Sequence, residues 1–446
     1  MILDDRLGFS EGRRLVNVCY NAGMDEKQII AEPIKKARGR WYQFRLRTLL
    51  IFVLLAGFGM NRLVAIRTKT ANREAAVAAI LKAHGRVEYD YQFDGSHRWI
   101  PSAEPPGPAW IRKILGDKCF AHVTSLDSYM PVPMQQVAEW DHLRYLDLRR
   151  CKLGDADVEQ IARLSGLQRL MLDHNPINDD ELARFEGMDQ LEELNLCATN
   201  VTDLGLDHLK QMPRLKRLLL CGDKITGAGL IRLNGMHQLE QLQLNEDPIT
   251  DDGVENLRDT DQLKQLALSG TKVTDRVFQH LTQFSRLEDL FLDNTAVTDA
   301  SLDKLRECSR LRCLWLSDTT VSDAGLKQLV GLKALNQLEL DRTRITDEGL
   351  KTIAEMESIS FLRVAGTRIT DAGLAHLQQL QGLDSLDLSE TQITDAGLER
   401  LKGFTKLVFL WLNGSRATPA GIKRLQQALP NCGIMLPFAS KATLGH

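Results

Sequence analysis

Apolar residues recur along most of this chain with a fixed period of 24 positions. Twelve consecutive blocks run without insertion or deletion from Leu143 to Pro430. Apolar residues at the fourth and sixth positions of a block alternate as in a β-strand, whereas residues such as Leu398 and Leu401 are spaced as on one face of a helix. Each block therefore predicts one short strand and one helix.

Neither element of a block can bury its apolar face alone, so the blocks must stack on one another. Stacking places the strands side by side in a long parallel sheet and the helices on the other side of the core. The predicted fold class is α/β, a solenoid with a curved parallel sheet inside and helices outside. The third and fifth positions of each strand point away from the core and form the concave face of the sheet.

Polar residues between strand and helix recur with the same period. Thr or Ser occupies the twelfth position in ten blocks, where its hydroxyl can cap the following helix, and Asp follows in ten blocks, as at Thr394 and Asp395. A column of carboxylates roughly 5 Å apart has two interpretations, a calcium ladder or first-turn residues favoured by the helix dipole, and we favour the second. Glycines at the fifteenth position, such as Gly397, indicate close backbone packing.

The full pattern reads L-x-x-L-x-L-x-x-T-x-I-T-D-x-G-L-x-x-L-x-x-L, as in residues 383–401. It resembles the leucine-rich repeat family, in the 24-residue variety with a helical second half, over about two thirds of the chain. Residues 40–50 and 86–91 also resemble the anchor region of planctomycete-type bacterial membrane leucine-rich repeat proteins. That resemblance implies one N-terminal membrane helix, a short juxtamembrane unit and then the solenoid, although about 40 additional residues precede the anchor here.

A second apolar pattern precedes the repeats. An uninterrupted run of 13 residues at 48–60 continues past Asn61 and Arg62 to Ile66, which makes 19 residues and predicts a transmembrane helix at 48–66. More Lys and Arg precede the run than follow it, which places the N-terminus in the cytoplasm and the repeats on the extracytoplasmic side of a single-pass membrane protein. A cleaved signal peptide and a buried helix are the alternative interpretations.

Charge and composition divide the chain further. Residues 1–47 carry 10 Lys and Arg against 6 Asp and Glu, while the remainder carries 46 against 53, so a basic head precedes an acidic body and no nucleic-acid partner is indicated. The predicted division is a basic segment at 1–47, the membrane helix at 48–66, a juxtamembrane α/β element with a Pro-rich connection at 67–118, a degenerate capping repeat at 119–142, the repeats at 143–430, and a C-terminal cap and tail at 431–446.

A search for reactive groups predicts no catalytic, cofactor or metal site, and hence no enzyme. His208, His280 and His376 share one position in the repeat but stand three or four repeats apart, too far to share a metal ion. Cys197 and Cys221 share the seventh position of adjacent blocks, within the range of a disulfide. A bridge and two free thiols both remain open for that pair.

Large aromatic residues gather on the predicted concave face from the seventh repeat onward, among charged residues, as at the hot spots of protein interfaces. Two of them, Phe291 and Trp315, share a position in adjacent strands, so their rings are predicted to lie side by side about 5 Å apart. The candidate partner-binding residues are Phe291, Trp315, Glu339, Phe361, Arg363, Asp387, Phe409 and Trp411.

The predicted function is therefore that of a non-catalytic, membrane-anchored scaffold that binds a protein or peptide on its concave face. The alternative rests on the similarity of the repeats to those of F-box-type substrate receptors of ubiquitin ligases. Such receptors need a three-helix adaptor module upstream of the repeats, and the upstream segment here is basic, short and interrupted by an apolar run. The oligomeric state does not follow from the sequence.

Overall fold

The structure is a computed structural model that describes residues 46–94 and 98–435. The chain divides into two compact units, Met1–Arg62 and Leu63–His446. The predicted basic segment at 1–47 lies almost wholly outside the described residues, as does most of the predicted tail.

One sheet of 15 strands runs through the second unit in chain order. The first two strands pair antiparallel, and the pairs that follow are parallel. Residues 24 apart lie side by side, as Leu290, Leu314 and Leu338 do. The strands are β1 Arg86–Tyr89, β2 Val123–Asp127, β3 Tyr145–Asp147, β4 Arg169–Met171, β5 Glu193–Asn195, β6 Arg217–Leu219, β7 Gln241–Gln243, β8 Gln265–Ala267, β9 Asp289–Phe291, β10 Cys313–Trp315, β11 Gln337–Glu339, β12 Phe361–Arg363, β13 Ser385–Asp387, β14 Phe409–Trp411 and β15 Gly433–Met435.

The core lies between the sheet and the helical segments. Leucines at the fourth position, such as Leu266 and Leu314, are fully buried, and one apolar cluster continues from Ala76 to Cys432. Each of these leucines packs between its counterparts in the repeats before and after it, because parallel strands stand about 5 Å apart. The predicted solenoid of strands and helical segments is confirmed.

The helical segments are shorter and more varied than the sequence predicted. Four of the repeats use 3₁₀ helices, which cover a given distance with fewer residues than an α-helix. The α-helices are α1 Leu46–Lys82, α2 Ala109–Leu115, α3 Met134–Val137, α4 Asp155–Ala162, α5 Asp179–Ala183, α6 Asp251–Glu255, α7 Val277–Leu281, α8 Asp323–Leu329, α9 Asp347–Ile353, α10 Asp395–Leu401 and α11 Pro419–Ala428. The 3₁₀ helices are Asp90–Gln92, Gly205–Gln211, Gly229–Leu233, Asp299–Glu307 and Gly373–Gln379.

In nine repeats the Asp at the thirteenth position joins its repeat to the next one. Asp323 Oδ1 accepts a hydrogen bond from the backbone N–H of Thr346 at 2.9 Å, and its Oδ2 accepts one from the Thr346 hydroxyl at 2.6 Å. The helix-dipole interpretation is therefore incomplete, because the carboxylate also bridges two repeats. The Thr346 oxygen still caps its own helix, as predicted, by accepting from the N–H of Glu348. Nine pairs share this bridge: Asp179–Thr202, Asp203–Thr226, Asp251–Thr274, Asp275–Thr298, Asp299–Ser322, Asp323–Thr346, Asp347–Thr370, Asp371–Thr394 and Asp395–Thr418.

The glycine at the fifteenth position makes room for that carboxylate. A Cβ on Gly349 would lie 2.4 Å from Asp323 Oδ1, closer than atoms can approach. In the fourth repeat Gly227 replaces the Asp, and there a Cβ on Gly253 would lie 2.5 Å from the Gly227 Cα. The predicted close backbone packing is confirmed at this pair, whereas in most other repeats the glycine faces a side chain.

The predicted transmembrane helix at 48–66 is wrong. These residues belong to α1, and among the described residues no helix is long and apolar enough to cross a membrane. The apolar run of described side chains extends from Val53 to Met60 and ends there because Asn61 and Arg62 follow. A helix that spans a membrane needs about 20 apolar residues. The location of the repeats outside the cytoplasm depended on that helix and stays a prediction.

The segment between α1 and the repeats closes the first end of the sheet. Ala76 and Ile80 of α1 are buried in the core, whereas Leu81 is exposed. The left-handed residue that follows the helix is His84, with φ 62°. After β1 the chain turns into a 3₁₀ helix, and β2 and β15 continue the sheet at the two ends of the repeats.

Candidate functional site

The third and fifth positions of the seventh to twelfth repeats, which are the two end residues of each strand from β9 to β14, form the second half of the concave face. The leucine between them is fully buried on the core side, so its two neighbours are turned to the opposite side of the sheet. On β9 and β10, Phe291 and Trp315 pair in register. Their ring centroids lie 4.2 Å apart with the planes 35° from parallel, which confirms the predicted ring contact. Both side chains remain half-exposed.

Arg363 on β12 is the centre of an ion-pair network, the arginine cluster. Its Nη2 lies 2.7 Å from Asp341 Oδ2, its Nε lies 3.4 Å from Asp387 Oδ2, and its Nη1 lies 3.7 Å from Glu339 Oε2. The three acidic residues are buried, while the guanidinium side chain is 38% exposed. One cation therefore faces three carboxylates, and the cluster carries an excess of negative charge.

Burial shifts the acid–base properties of this cluster. Loss of water contact raises the pKa of Glu339 to about 7, although Arg363 opposes the shift. The pKa of Asp341 is raised for the same reason, again against the effect of Arg363. A single arginine thus compensates only part of the cost of burying these carboxylates.

A hollow opens beside the arginine cluster. Phe361, Arg363, Asp387 and Trp411 line it, so four of the eight predicted binding residues lie around one depression. Its other lining residues are Asp341, Arg342, Ala365, Ser389, Glu390 and Asn413. We call this depression the concave hollow. It combines two aromatic side chains with a charged floor.

The last two predicted residues lie beside each other at the C-terminal end of the face. Phe409 is 42% exposed, and its ring centroid lies 5.8 Å from that of Trp411. The chain after Cys432 forms β15 and pairs with β14, placing Gly433 opposite Phe409 and Met435 opposite Trp411. Because glycine has no side chain, β15 leaves Phe409 open.

Not every residue at the third and fifth positions is exposed. Glu339, Asp387, Cys313, Ala267 and Asp147 lie on the concave face but are buried. Neighbouring strands stand about 5 Å apart, so a large side chain on one strand covers a smaller one on the next. The accessible part of the face consists of the larger side chains.

Sequence reasoning missed the residues that follow each strand. Asp341 lies at the seventh position, and Arg342 and Glu390 lie at the eighth position of their repeats, yet all three line the concave hollow. Continuing the alternation of the strand by one more step predicts that the seventh position also points to the concave side. That signal was present in the sequence.

The described residues hold no group of three or more His, Cys, Asp or Glu side chains arranged to bind a metal ion. Cys197 and Cys221 are free thiols.

Comparisons with known proteins concern the repeats. Family models described as leucine-rich repeats match residues 141–201, 333–354 and 383–402, so the chain contains leucine-rich repeats. No curated protein matches the chain. Proteins with this kind of repeat are generally non-catalytic scaffolds that bind other proteins.

Three solved structures are similar to this chain at TM-scores below 0.5. An internalin from Listeria monocytogenes is 20% identical, with a TM-score of 0.45, over 65% of this chain and 90% of that one. A leucine-rich repeat protein from Leptospira interrogans is 18% identical, with a TM-score of 0.47, over 70% and 88%. The ectodomain of the Arabidopsis thaliana receptor kinase GASSHO1/SCHENGEN3, solved in complex with CASPARIAN STRIP INTEGRITY FACTOR 2, is 17% identical, with a TM-score of 0.41, over 69% and 43%.

Proposed function

We propose that this chain is a non-catalytic recognition protein that binds a protein or peptide partner on the concave face of its seventh to twelfth repeats. The observation that carries the proposal is the row formed by the Phe291–Trp315 ring pair, the arginine cluster and the concave hollow. Aromatic side chains in this row stay partly exposed although the leucines between them are fully buried. Aromatic residues and arginine are the residue types that contribute most to binding energy at protein interfaces.

The charges of this row favour a basic partner. Arg363 faces three buried carboxylates. Burial also raises the pKa of Asp289 and of Asp293, which lie two residues before and after Phe291 in the chain. A cation delivered by a partner would offset the desolvation of these carboxylates. The proposed ligand is therefore a peptide segment that carries Lys or Arg beside an apolar side chain.

Selection from a random peptide library tests this proposal. The full chain is immobilised, and 12-residue peptides displayed on phage are selected against it. We expect enrichment of peptides that place Lys or Arg next to an aromatic or aliphatic residue. The enriched peptides should fail to bind the Trp315→Ala/Phe361→Ala double variant, because it removes one ring from the pair and one from the hollow.

A matched double variant controls for the removal of exposed apolar side chains elsewhere on the molecule. Trp110 and Ile231 are 67% and 55% exposed and lie off the concave face, on α2 and on the 3₁₀ helix of the fourth repeat. Trp110→Ala/Ile231→Ala should bind the selected peptides as the wild type does. Peptides that bind both double variants equally would place the recognition surface elsewhere on the molecule.

The F-box alternative differs from this proposal in requiring an adaptor surface in addition to the ligand surface. Nothing in the described part of the chain favours it over a self-contained recognition protein. Purified chain mixed with an F-box adaptor protein and run on a size-exclusion column separates the two ideas, since only an F-box receptor would elute as a complex.

A further inference from the structure

Two cysteines lie in one row at the end of adjacent strands. β5 and β6 pair with Asn195 opposite Leu219, and Cys197 and Cys221 each follow two residues later. The parallel register continues past the strands, because the N–H of Ala198 donates to the Cys221 carbonyl at 2.8 Å. The N–H of Cys221 donates to Cys197 Sγ at 3.2 Å, so the sulfur of one cysteine touches the backbone of the other.

Their surroundings distinguish this pair from the other thiols that the structure describes. Both cysteines are free and only partly buried, so a small reagent can reach them. By contrast, Cys151, Cys308, Cys313 and Cys432 are buried. Cys119 is also partly exposed, but it belongs to the segment before the repeats.

Hydrogen bonds shift the pKa values of the two thiols in opposite directions. A hydrogen bond between the two side chains lowers the pKa of Cys221 and raises that of Cys197. Asn245 adds backbone and side-chain hydrogen bonds to Cys221 from the fifth repeat. The carboxyl group of Asp223 raises the pKa of Cys197 further. The Cys221 thiol donates a hydrogen bond to Gln243 Oε1 at 3.8 Å. Cys221 is thus the more acidic of the two thiols.

We propose that Cys197 and Cys221 form a redox-sensitive dithiol, which hydrogen peroxide oxidises to a disulfide between the third and fourth repeats. The Cys221 thiolate attacks one peroxide oxygen, the O–O bond breaks, and the leaving hydroxide takes up a proton to become water. This step oxidises Cys221 to a sulfenic acid. Cys197 sulfur then attacks Cys221 sulfur, an S–S bond forms, the S–O bond breaks, and hydroxide leaves as water with the Cys197 proton.

The position of the pair makes the bridge feasible without a change of fold. Neighbouring strands hold their Cα atoms about 5 Å apart, which lies within the range that disulfides span. The disulfide would link the third and fourth repeats covalently on the concave side of the solenoid. It is independent of peptide binding in the seventh to twelfth repeats.

Peptide mapping of the full chain tests the proposal. The reduced protein is treated with hydrogen peroxide, blocked with N-ethylmaleimide and digested with trypsin without reduction. Cys197 lies in the tryptic peptide 185–210 and Cys221 in the peptide 218–224, each with a single cysteine. We expect these two peptides joined, lighter than their sum by two hydrogen atoms, and separated again by dithiothreitol. Absence of the joined species would overturn the proposal.

Variants at Cys197 distinguish a thiolate held by its neighbour from an ordinary surface cysteine. Cys197→Ser keeps a hydroxyl donor but cannot form the bridge, so peroxide should leave a Cys221 sulfenic acid that dimedone traps. Cys197→Ala removes the donor, so iodoacetamide at pH 7 should alkylate Cys221 roughly tenfold more slowly than in Cys197→Ser. Equal alkylation rates in the two variants would contradict the proposed role of Cys197.

A third variant controls for folding and for nonspecific oxidation. Cys308→Ser alters a buried thiol of the seventh repeat and should leave the joined peptides unchanged. The melting temperatures of the Cys197 variants should match that of the wild type, because neither cysteine of the pair belongs to the apolar core.

Discussion

Asp223 and Asp247 are buried carboxyl groups at the ninth position of adjacent repeats, where most other repeats have Thr or Asn. Asp223 Oδ1 accepts hydrogen bonds from the N–H and the hydroxyl of Thr199. Neither Asp247 oxygen has a hydrogen-bond partner among the described residues. Burial raises the pKa of Asp223 to about 7 and that of Asp247 to about 8, and the charge of Asp223 adds to the shift at Asp247.

Asp247→Asn should stabilise the protein at pH 8. Below about pH 4 this carboxyl is protonated in both the folded and the unfolded chain, so no charge is buried and its ionisation does not lower the free energy of unfolding. As pH rises toward 8 the unfolded chain ionises first, and the free energy of unfolding falls until the folded pKa is passed. We expect Asn to recover about 1 to 3 kcal/mol at pH 8 and almost none at pH 4 in urea unfolding.

Asp318→Asn is the matched control for that measurement. Asp318 pairs with Arg342, which lowers its pKa, so this substitution should not raise the free energy of unfolding at pH 8. Stabilisation by Asp318→Asn, or none by Asp247→Asn, would contradict the account of the buried pair.

Glu339 should make peptide binding depend on pH. Its pKa of about 7 means that it loses its charge between pH 8 and pH 6, and a cationic ligand favours the charged form. Affinity for a Lys- or Arg-containing peptide should therefore fall up to about tenfold over that range, as measured by calorimetry. Glu339→Gln should bind more weakly at pH 8 and show little change with pH.

At the scale of the element, one repeat is a three-residue strand, a turn and a short helix that the next repeat completes. The bridge from Asp323 to Thr346 and the space left by Gly349 act together, because the carboxylate occupies the volume of the missing Cβ. The turn therefore depends on three residues from two repeats. This dependence explains why Thr, Asp and Gly recur together.

Gly349→Ala should destabilise the chain by about 1 to 3 kcal/mol, because the new Cβ would meet Asp323 Oδ1 at 2.4 Å and Ile345 Cγ2 at 2.6 Å. Gly403→Ala is the control, since a Cβ there meets nothing within 4 Å. It should change the free energy of unfolding by less than about 0.5 kcal/mol. Equal effects of the two substitutions in chemical denaturation would show that the recurrence of glycine at the fifteenth position has another cause.

The strands and their register followed from the sequence because the fixed period of 24 residues allows a leucine such as Leu314 to be buried in only one way, beside the equivalent leucines of the neighbouring repeats. The hydrogen-bond partner of a polar residue did not follow from the sequence. The repeat period gives the position of a residue within its repeat, but it does not show which side chain of the next repeat that residue contacts. Asp323 was therefore assigned to its own helix and not to Thr346. Likewise, the candidate binding residues lie on the concave face, but the burial of Glu339 depends on the sizes of adjacent side chains.

At the scale of the whole molecule, one apolar core passes through the twelve repeats without a break. Each repeat contacts mainly its neighbours, so stability is carried by the interfaces between successive repeats. The segment 63–142 and β15 cover the two ends of this core. Loss of one core leucine should weaken the two interfaces that it joins.

Leu266→Ala and Leu314→Ala should each lower the free energy of unfolding by about 2 to 5 kcal/mol, because both side chains are fully buried between two neighbours. Thermal or urea unfolding followed by circular dichroism measures the change. Leu204→Ala is the control, since that side chain is 64% exposed. Costs below about 1 kcal/mol at both core sites would argue against a continuous core.

The central claim is that the concave face of the seventh to twelfth repeats is the recognition surface. Calorimetric titration of one selected Lys- or Arg-containing peptide tests it, with the wild type, Trp315→Ala/Phe361→Ala and Trp110→Ala/Ile231→Ala compared at pH 8. We predict at least about 100-fold weaker binding by the first double variant, with its melting temperature unchanged, and wild-type affinity for the second. Undiminished affinity of the Trp315→Ala/Phe361→Ala variant would contradict the claim.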